Sequence, residues 1–230
     1  LLSCLMFTVL QVELRWLMEE MHPFQAAFVR NLAAWLILLP FLHSLPLKTI
    51  LQTRKRTHFA RAVVGVAGML CMFTAFKMLP LAQAVAISFV TPLLATMGAA
   101  LLLGEVVRAR RWTAIGVGIR VVLVMLRPWQ AGGVHPGMLA ALASAFCVAA
   151  STLLVKYLAG RDPIRVNLFY MGLYMTPLSL LAALPVWQAM TLEQWGIGAL
   201  VGATATISQA AVHQAFRLAD ASALMPLDYV

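Results

Sequence analysis

Long apolar runs, each close to the length of a membrane crossing, alternate with short polar or basic stretches along this chain. They predict helical spans near 1–18, 25–46, 62–79, 81–103, 112–127, 137–156, 164–185 and 195–214, with a ninth beginning near 221. A bilayer core about 30 Å thick takes roughly 20 apolar residues as an α-helix, which is what these runs supply. Inside lipid every backbone N–H and C=O has to be bonded within the protein, so the runs predict helices and not open strands. The fold class expected is an all-α integral membrane protein.

Polar positions at helical spacing interrupt two of the later spans. Asn167, Tyr170 and Tyr174 make a stripe on the seventh, with Met171 and Met175 beside it. Thr206, Gln209 and His213 make another on the eighth, on the face that carries Gly202. If those faces meet, they offer donors, acceptors, two aromatic rings and adaptable thioethers to a small amphiphilic organic solute. The same side chains also suit plain hydrogen bonding between helices. His213, with an ordinary imidazole pKa of about 6.5, is a candidate proton-responsive group or a packed histidine.

Prolines and small residues add detail. Pro92 and Pro177 are expected to break the fourth and seventh spans, since proline removes an amide donor; Pro92 leaves the Ser88 carbonyl free. Gly196, Gly198, Gly202, Ala203, Ala205 and Ala210 crowd the eighth span, and a Gly198-x-x-x-Gly202 step lets backbones approach closely. Packing within the chain is the first use of that step, and a homodimer contact is the second.

Three charges sit within spans: Glu13, Arg30 and Arg120. An arginine at the bilayer centre costs at least about 2.5–3.5 kcal/mol, so each needs a partner or water. Arg30 can snorkel toward Glu19 or Glu20, or capture a substrate carboxylate. Glu13 is a candidate ion or proton site, and a Glu13–Arg120 pair would account for two otherwise unexplained charges.

Composition agrees with lipid as the solvent. The chain is 62% hydrophobic and 11% charged, against about 25% charged in soluble domains. Its net charge of +9 points to topology rather than nucleic acid. Lys48, Arg54, Lys55, Arg56 and Arg61 share one loop, Arg108, Arg110 and Arg111 a second, and Lys156, Arg161 and Arg165 a third. If the N-terminus lies inside, these loops and Arg217 all face the cytoplasm, and the opposite loops hold only Lys77 and Arg127. Cys4, Cys71 and Cys147 lie in apolar spans without metal-binding spacing and read as small packing residues.

The chain also repeats itself. Ala75-Phe76-Lys77 with Leu81-Ala82-Gln83-Ala84 returns about 140 positions later as Ala215-Phe216-Arg217 with Leu218-Ala219-Asp220-Ala221. Five spans separate the copies, so the second copy is inverted, an arrangement common to secondary transporters. The linker from Arg127 to Pro136, rich in Pro and Gly, divides a first repeat (1–128) from a second (136–230).

Several short motifs then carry a resemblance: Arg30-Asn31, Leu81-Ala82-Gln83-Ala84, Thr91-Pro92-Leu93, Leu101-Leu102-Leu103-Gly104-Glu105, Leu126-Arg127-Pro128 and Phe169-Tyr170-Met171-Gly172. In this order and spacing the chain resembles the EamA-type branch of the drug/metabolite transporter superfamily. The resemblance implies ten helices in two inverted five-helix repeats, and a secondary transporter or facilitator of small metabolites. Amino acids, their derivatives or nucleoside-like metabolites such as S-adenosylmethionine are the solutes it implies. It also implies that the chain is clipped at both ends, in the bacterial inner membrane with its N-terminus inside. No nucleotide-binding loop, HExxH or GxSxG occurs, so neither ATP drive nor a membrane-embedded enzyme is expected, and no cofactor. The partners expected are a small-molecule metabolite and the lipid bilayer. A coupling proton or other ion and a second copy of the chain are open alternatives, and an inert packing protein is the competing class.

Overall fold

The computed structural model describes residues 2–42, 53–103, 112–113, 115–118, 120, 124 and 135–218. Among them every regular element is helical: α1 Leu2–Glu20, α2 Pro23–Leu42, α3 Lys55–Met78, α4 Leu81–Ser88, α5 Val90–Leu103, α6 Pro136–Ala159, α7 Ile164–Ala183 and α8 Leu192–Leu218. A 3₁₀ turn, Leu184–Val186, follows α7, and the described residues between 112 and 124 are helical as well. Lys55–Met78, Leu81–Leu101, Pro136–Leu158 and Ile164–Val186 are each long and apolar enough to cross a membrane.

The helix starts have local causes. α2 and α6 both open on a His-Pro pair. His22 Nδ1 accepts from the Phe24 N–H at 3.3 Å, and His135 Nδ1 accepts from the Gly137 N–H at 3.1 Å. The proline occupies the first helical position, where no amide donor is required. α8 opens on a capping box: the Gln194 N–H donates to Thr191 Oγ1 at 3.3 Å, and the Thr191 N–H donates to Gln194 Oε1 at 3.1 Å.

Helix limits and span limits differ. α3 starts at Lys55, a full two turns before the apolar run expected near 62, because lysine, arginine and histidine are ordinary helix residues. The fourth span is interrupted at Phe89, between α4 and α5, three residues before Pro92. Pro177 is a correction to the expected break: α7 runs through it without interruption. Its ring is exposed, so the lost amide and the crowding of the preceding turn are absorbed within a continuous helix. α2 likewise contains Pro40.

Two compact units emerge, Leu1–Val66 with Leu154–Val230 and Ala67–Leu153, each drawing on both halves of the sequence. In the first unit α2 is the central rod, with α7 and α8 packed on it and α1 on α8. Antiparallel pairing of α2 with α7 runs from Phe28 and Val29 beside Leu180 and Ala183 to Leu38 beside Leu168. On α8, Gly198 faces Val29, and Gly202 faces the backbone of Ala33 and Ala34. The Gly198-x-x-x-Gly202 face is thus occupied within the chain. In the second unit, Ser144 Oγ donates to the Gly68 carbonyl at 2.7 Å, and Gly68 abuts Cys147.

A Cβ added at Gly202 would lie 2.8 Å from the Ala34 nitrogen, whereas one at Gly196 would meet nothing within 4 Å. Gly202→Ala is therefore expected to cost about 1–3 kcal/mol by overpacking, and Gly196→Ala to be neutral or stabilising by a few tenths. Thermal unfolding of the two variants in one detergent checks the contrast; equal losses would contradict the α2–α8 contact.

Candidate substrate-binding site

Polar residues of α2 and α7 meet in a buried seam. Asn31 Nδ2 donates to Ser179 Oγ at 3.1 Å, and Arg30 Nη1 donates to Asn31 Oδ1 at 3.3 Å. The Ser179 hydroxyl shares its proton between the Met175 and Thr176 carbonyls, at 2.7 and 2.9 Å. All three side chains are buried, so in an apolar setting these bonds keep costly unpaired groups to a minimum. Toward the start of α7 the seam gives way to Trp35, whose indole ring lies where a Cβ on Gly172 would be.

Beside this seam, α7 meets the first turns of α3. His58, Tyr170 and Tyr174 form a column of rings: His58 and Tyr170 stack at 4.7 Å and 23°, Tyr170 and Tyr174 at 5.6 Å and 22°. Phe59 closes on Tyr174 edge-first at 5.5 Å, and Phe169 does the same to Tyr170. Such offset and edge geometries satisfy the ring quadrupoles. Tyr170 is buried and Tyr174 half-buried.

The column is held at its base by a hydrogen bond from the His58 imidazole to a carboxylate. His58 Nε2 donates to Asp162 Oδ2 at 3.0 Å, and Asn167 Nδ2 donates to the Asp162 carbonyl at 3.3 Å, closing the turn between α6 and α7. Close by, Arg54 Nη1 donates to the Tyr157 hydroxyl at 2.6 Å, and the Arg161 guanidinium lies 3.8 Å from the Tyr157 ring centroid. One turn above His58, Arg61 is buried and its Nη2 donates to Met171 Sδ at 3.5 Å. Two buried polar atoms of this cluster have no hydrogen-bond partner, His58 Nδ1 and Asn167 Oδ1, and Trp35 Nε1, on the α2 side of α7, has none either. Buried groups of that kind are rare, and a bound polar solute is one way to satisfy them.

The structure places the sequence-selected residues as follows. Asn167, Tyr170 and Tyr174 share one cluster. Thr206 Oγ1 donates to the Gly202 and Ala34 carbonyls, at 2.8 and 3.4 Å, and so is turned to α2. Gln209 is half-buried on the same helix, and the His213 side chain lies outside the described residues. The rings that complete the α7 stripe come from α3, not α8. Glu13 Oε1 accepts from Thr204 Oγ1 at 3.3 Å, while Arg120, in the other unit, is exposed. Glu20 accepts from Gln194 Nε2 at 3.4 Å. Sequence reasoning missed His58 and Asp162 and assigned Arg61 to a surface loop. Its one available signal was the spacing of Arg54, His58 and Arg61, which puts them on one helical face.

Comparison with known proteins follows the same direction. The model of the EamA-like transporter family matches residues 1–127. A riboflavin transporter of Vibrio cholerae is 33% identical over 88% of this chain and 69% of its own length. An S-adenosylmethionine uptake transporter of Rickettsia bellii is 26% identical over all of this chain and 79% of its own. A pseudopaline exporter of Pseudomonas aeruginosa is 24% identical over 74% of this chain and 60% of its own. A solved crystal structure superposes with a TM-score of 0.72, covering 99% of this chain and 81% of that one at 20% identity, and so shares the fold.

The His58–Asp162 bond joins segments over 100 positions apart in sequence. A double-mutant cycle of His58→Gln and Asp162→Asn, read by thermal unfolding, is expected to give a coupling of about 0.5–3 kcal/mol. Strictly additive effects would show that the pair contributes no mutual stabilisation.

Proposed function

The chain belongs to the EamA-like transporter family and is a multi-pass membrane transporter of small molecules rather than an enzyme; from that premise we propose that its solute is a metabolite with a flat heteroaromatic ring. Riboflavin is the first solute to test. The observation that carries this reading is the His58–Tyr170–Tyr174 column, whose last ring is half-buried with Phe59 edge-first against it; a solute ring would stack on Tyr174 in the place Phe59 now takes. Riboflavin and S-adenosylmethionine, the solutes named for two groups of relatives, both contain such a ring. The unpartnered His58 Nδ1 and Asn167 Oδ1 supply two acceptors for the solute's polar groups.

In this reading the two inverted repeats, 1–128 and 136–230, rock to expose the site alternately to the two sides of the bacterial inner membrane. The N-terminus is inside. The Arg54–Tyr157 and His58–Asp162 contacts support that orientation, because they bring two basic segments of the sequence to one end of the first unit. We propose in addition that Thr206, Gln209 and His213 on α8 belong to the transport path.

Uptake of labelled riboflavin into proteoliposomes or riboflavin-auxotrophic cells tests the proposal. Tyr174→Ala is expected to raise KM about 5- to 30-fold, equivalent to about 1–2 kcal/mol of lost stacking. Tyr174→Phe retains the ring and should stay within about twofold of wild type. Absence of saturable riboflavin uptake by the wild-type protein would remove this solute, and an unchanged KM in Tyr174→Ala would remove the stacking site.

A further inference from the structure

Arg30 and Arg61 are the two buried arginines among the described residues, and Arg61 is the one beside the ring column. It lies six residues into α3, about 9 Å along the helix at 1.5 Å per residue, and is only 6% exposed. Arg54 and Arg161, by contrast, are exposed and both engage Tyr157. The bond Arg61 makes is to the Met171 thioether, a weak acceptor that carries no charge. Asp162, just before α7, gives its carboxylate to the His58 imidazole, and Arg61 makes no ion pair among the described residues. A guanidinium removed from water without a counter-charge is strongly disfavoured. Its planar fork of donors is shaped for an oxyanion, and Met171, next to Tyr170, brings that fork to the ring column.

We propose that Arg61 is an anion-binding group, receiving a carboxylate or phosphate carried by the same solute whose ring stacks on Tyr174. The inference rests on the heteroaromatic reading given above and narrows it to solutes with an anionic group. His58 Nδ1 and Asn167 Oδ1 are acceptors and take hydroxyl or amine donors, so the three groups do not compete for the same part of the solute. The alternative is that Arg61 only anchors the basic end of α3, in which case its charge matters and no anion does.

The test uses the purified full chain in nanodiscs with riboflavin, riboflavin 5′-phosphate, inorganic phosphate and formate as probes. Wild type is expected to bind riboflavin 5′-phosphate about ten- to a hundredfold tighter than riboflavin, as for hydrogen bonds to a charged group. Arg61→Met should bring the two flavins within about twofold of each other, and Arg61→Lys should keep part of the preference. Inorganic phosphate, and formate if a carboxylate suffices, should raise the unfolding temperature of wild type but not of Arg61→Met at matched ionic strength. Equal flavin affinities in wild type with no phosphate effect would overturn the proposal and leave the ring site standing. A phosphate effect that depends on Arg61, with neither flavin bound, would uphold the anion site and overturn the ring reading. If Arg61→Met does not fold, the wild-type flavin pair and Arg61→Lys decide the question.

Discussion

The closeness with which α8 can lie on α2 governs the first unit. At Gly202 the neighbours are the Ala33 Cβ and the backbone behind it, the Ala33 carbonyl carbon and the Ala34 nitrogen, so no rotamer change on either side can make room. Lipid tails are as apolar as leucine, and helices in a bilayer gain little from burying leucine against leucine. What holds them together is contact that lipid cannot provide: dense packing along small residues, and hydrogen bonds. α8 supplies the first through Gly198 and Gly202, and the second through Thr206, which reaches the Ala34 carbonyl. With α8 fixed, α1 has a surface to lie on, and Glu13 finds Thr204.

The opposite flank of α2 uses a different solution. There the contact with α7 is made by Asn31, Thr176 and Ser179, side chains that would be a liability anywhere they faced lipid. Their bonds fix the register of α7 on α2, and register fixes which residues of α7 are left to face α3. The ring column is thus a consequence of pairings made two turns away. Arg61 and His58 then meet a surface whose orientation was set by residues that touch neither of them.

Much of this was legible in the sequence because hydropathy reports which residues meet lipid. It located the helices, the interruption near Pro92 and the polar stripe on α7. It misread Arg61 and left His58 and Asp162 unnoticed for the same reason: a charged residue near a span end is, to hydropathy, simply water-facing. The stripe on α8 shows the other boundary of the method. Helical spacing identifies Thr206 and Gln209 as sharing a face, yet nothing in the spacing says whether that face is given to α7 or to α2. Pro177 failed as a break because proline ends a helix only where nothing else holds the turn, and the packing of α7 holds it.

Trp35 and Gly172 have a bearing on how the protein can change over generations. The indole fills the volume that any larger residue at position 172 would claim, and a tryptophan ring cannot be folded aside as a leucine tip can. The two positions therefore share one fixed volume. Descendants that enlarge residue 172 have to shrink residue 35 in the same lineage, and the pair should be inherited as a unit, trading size for size.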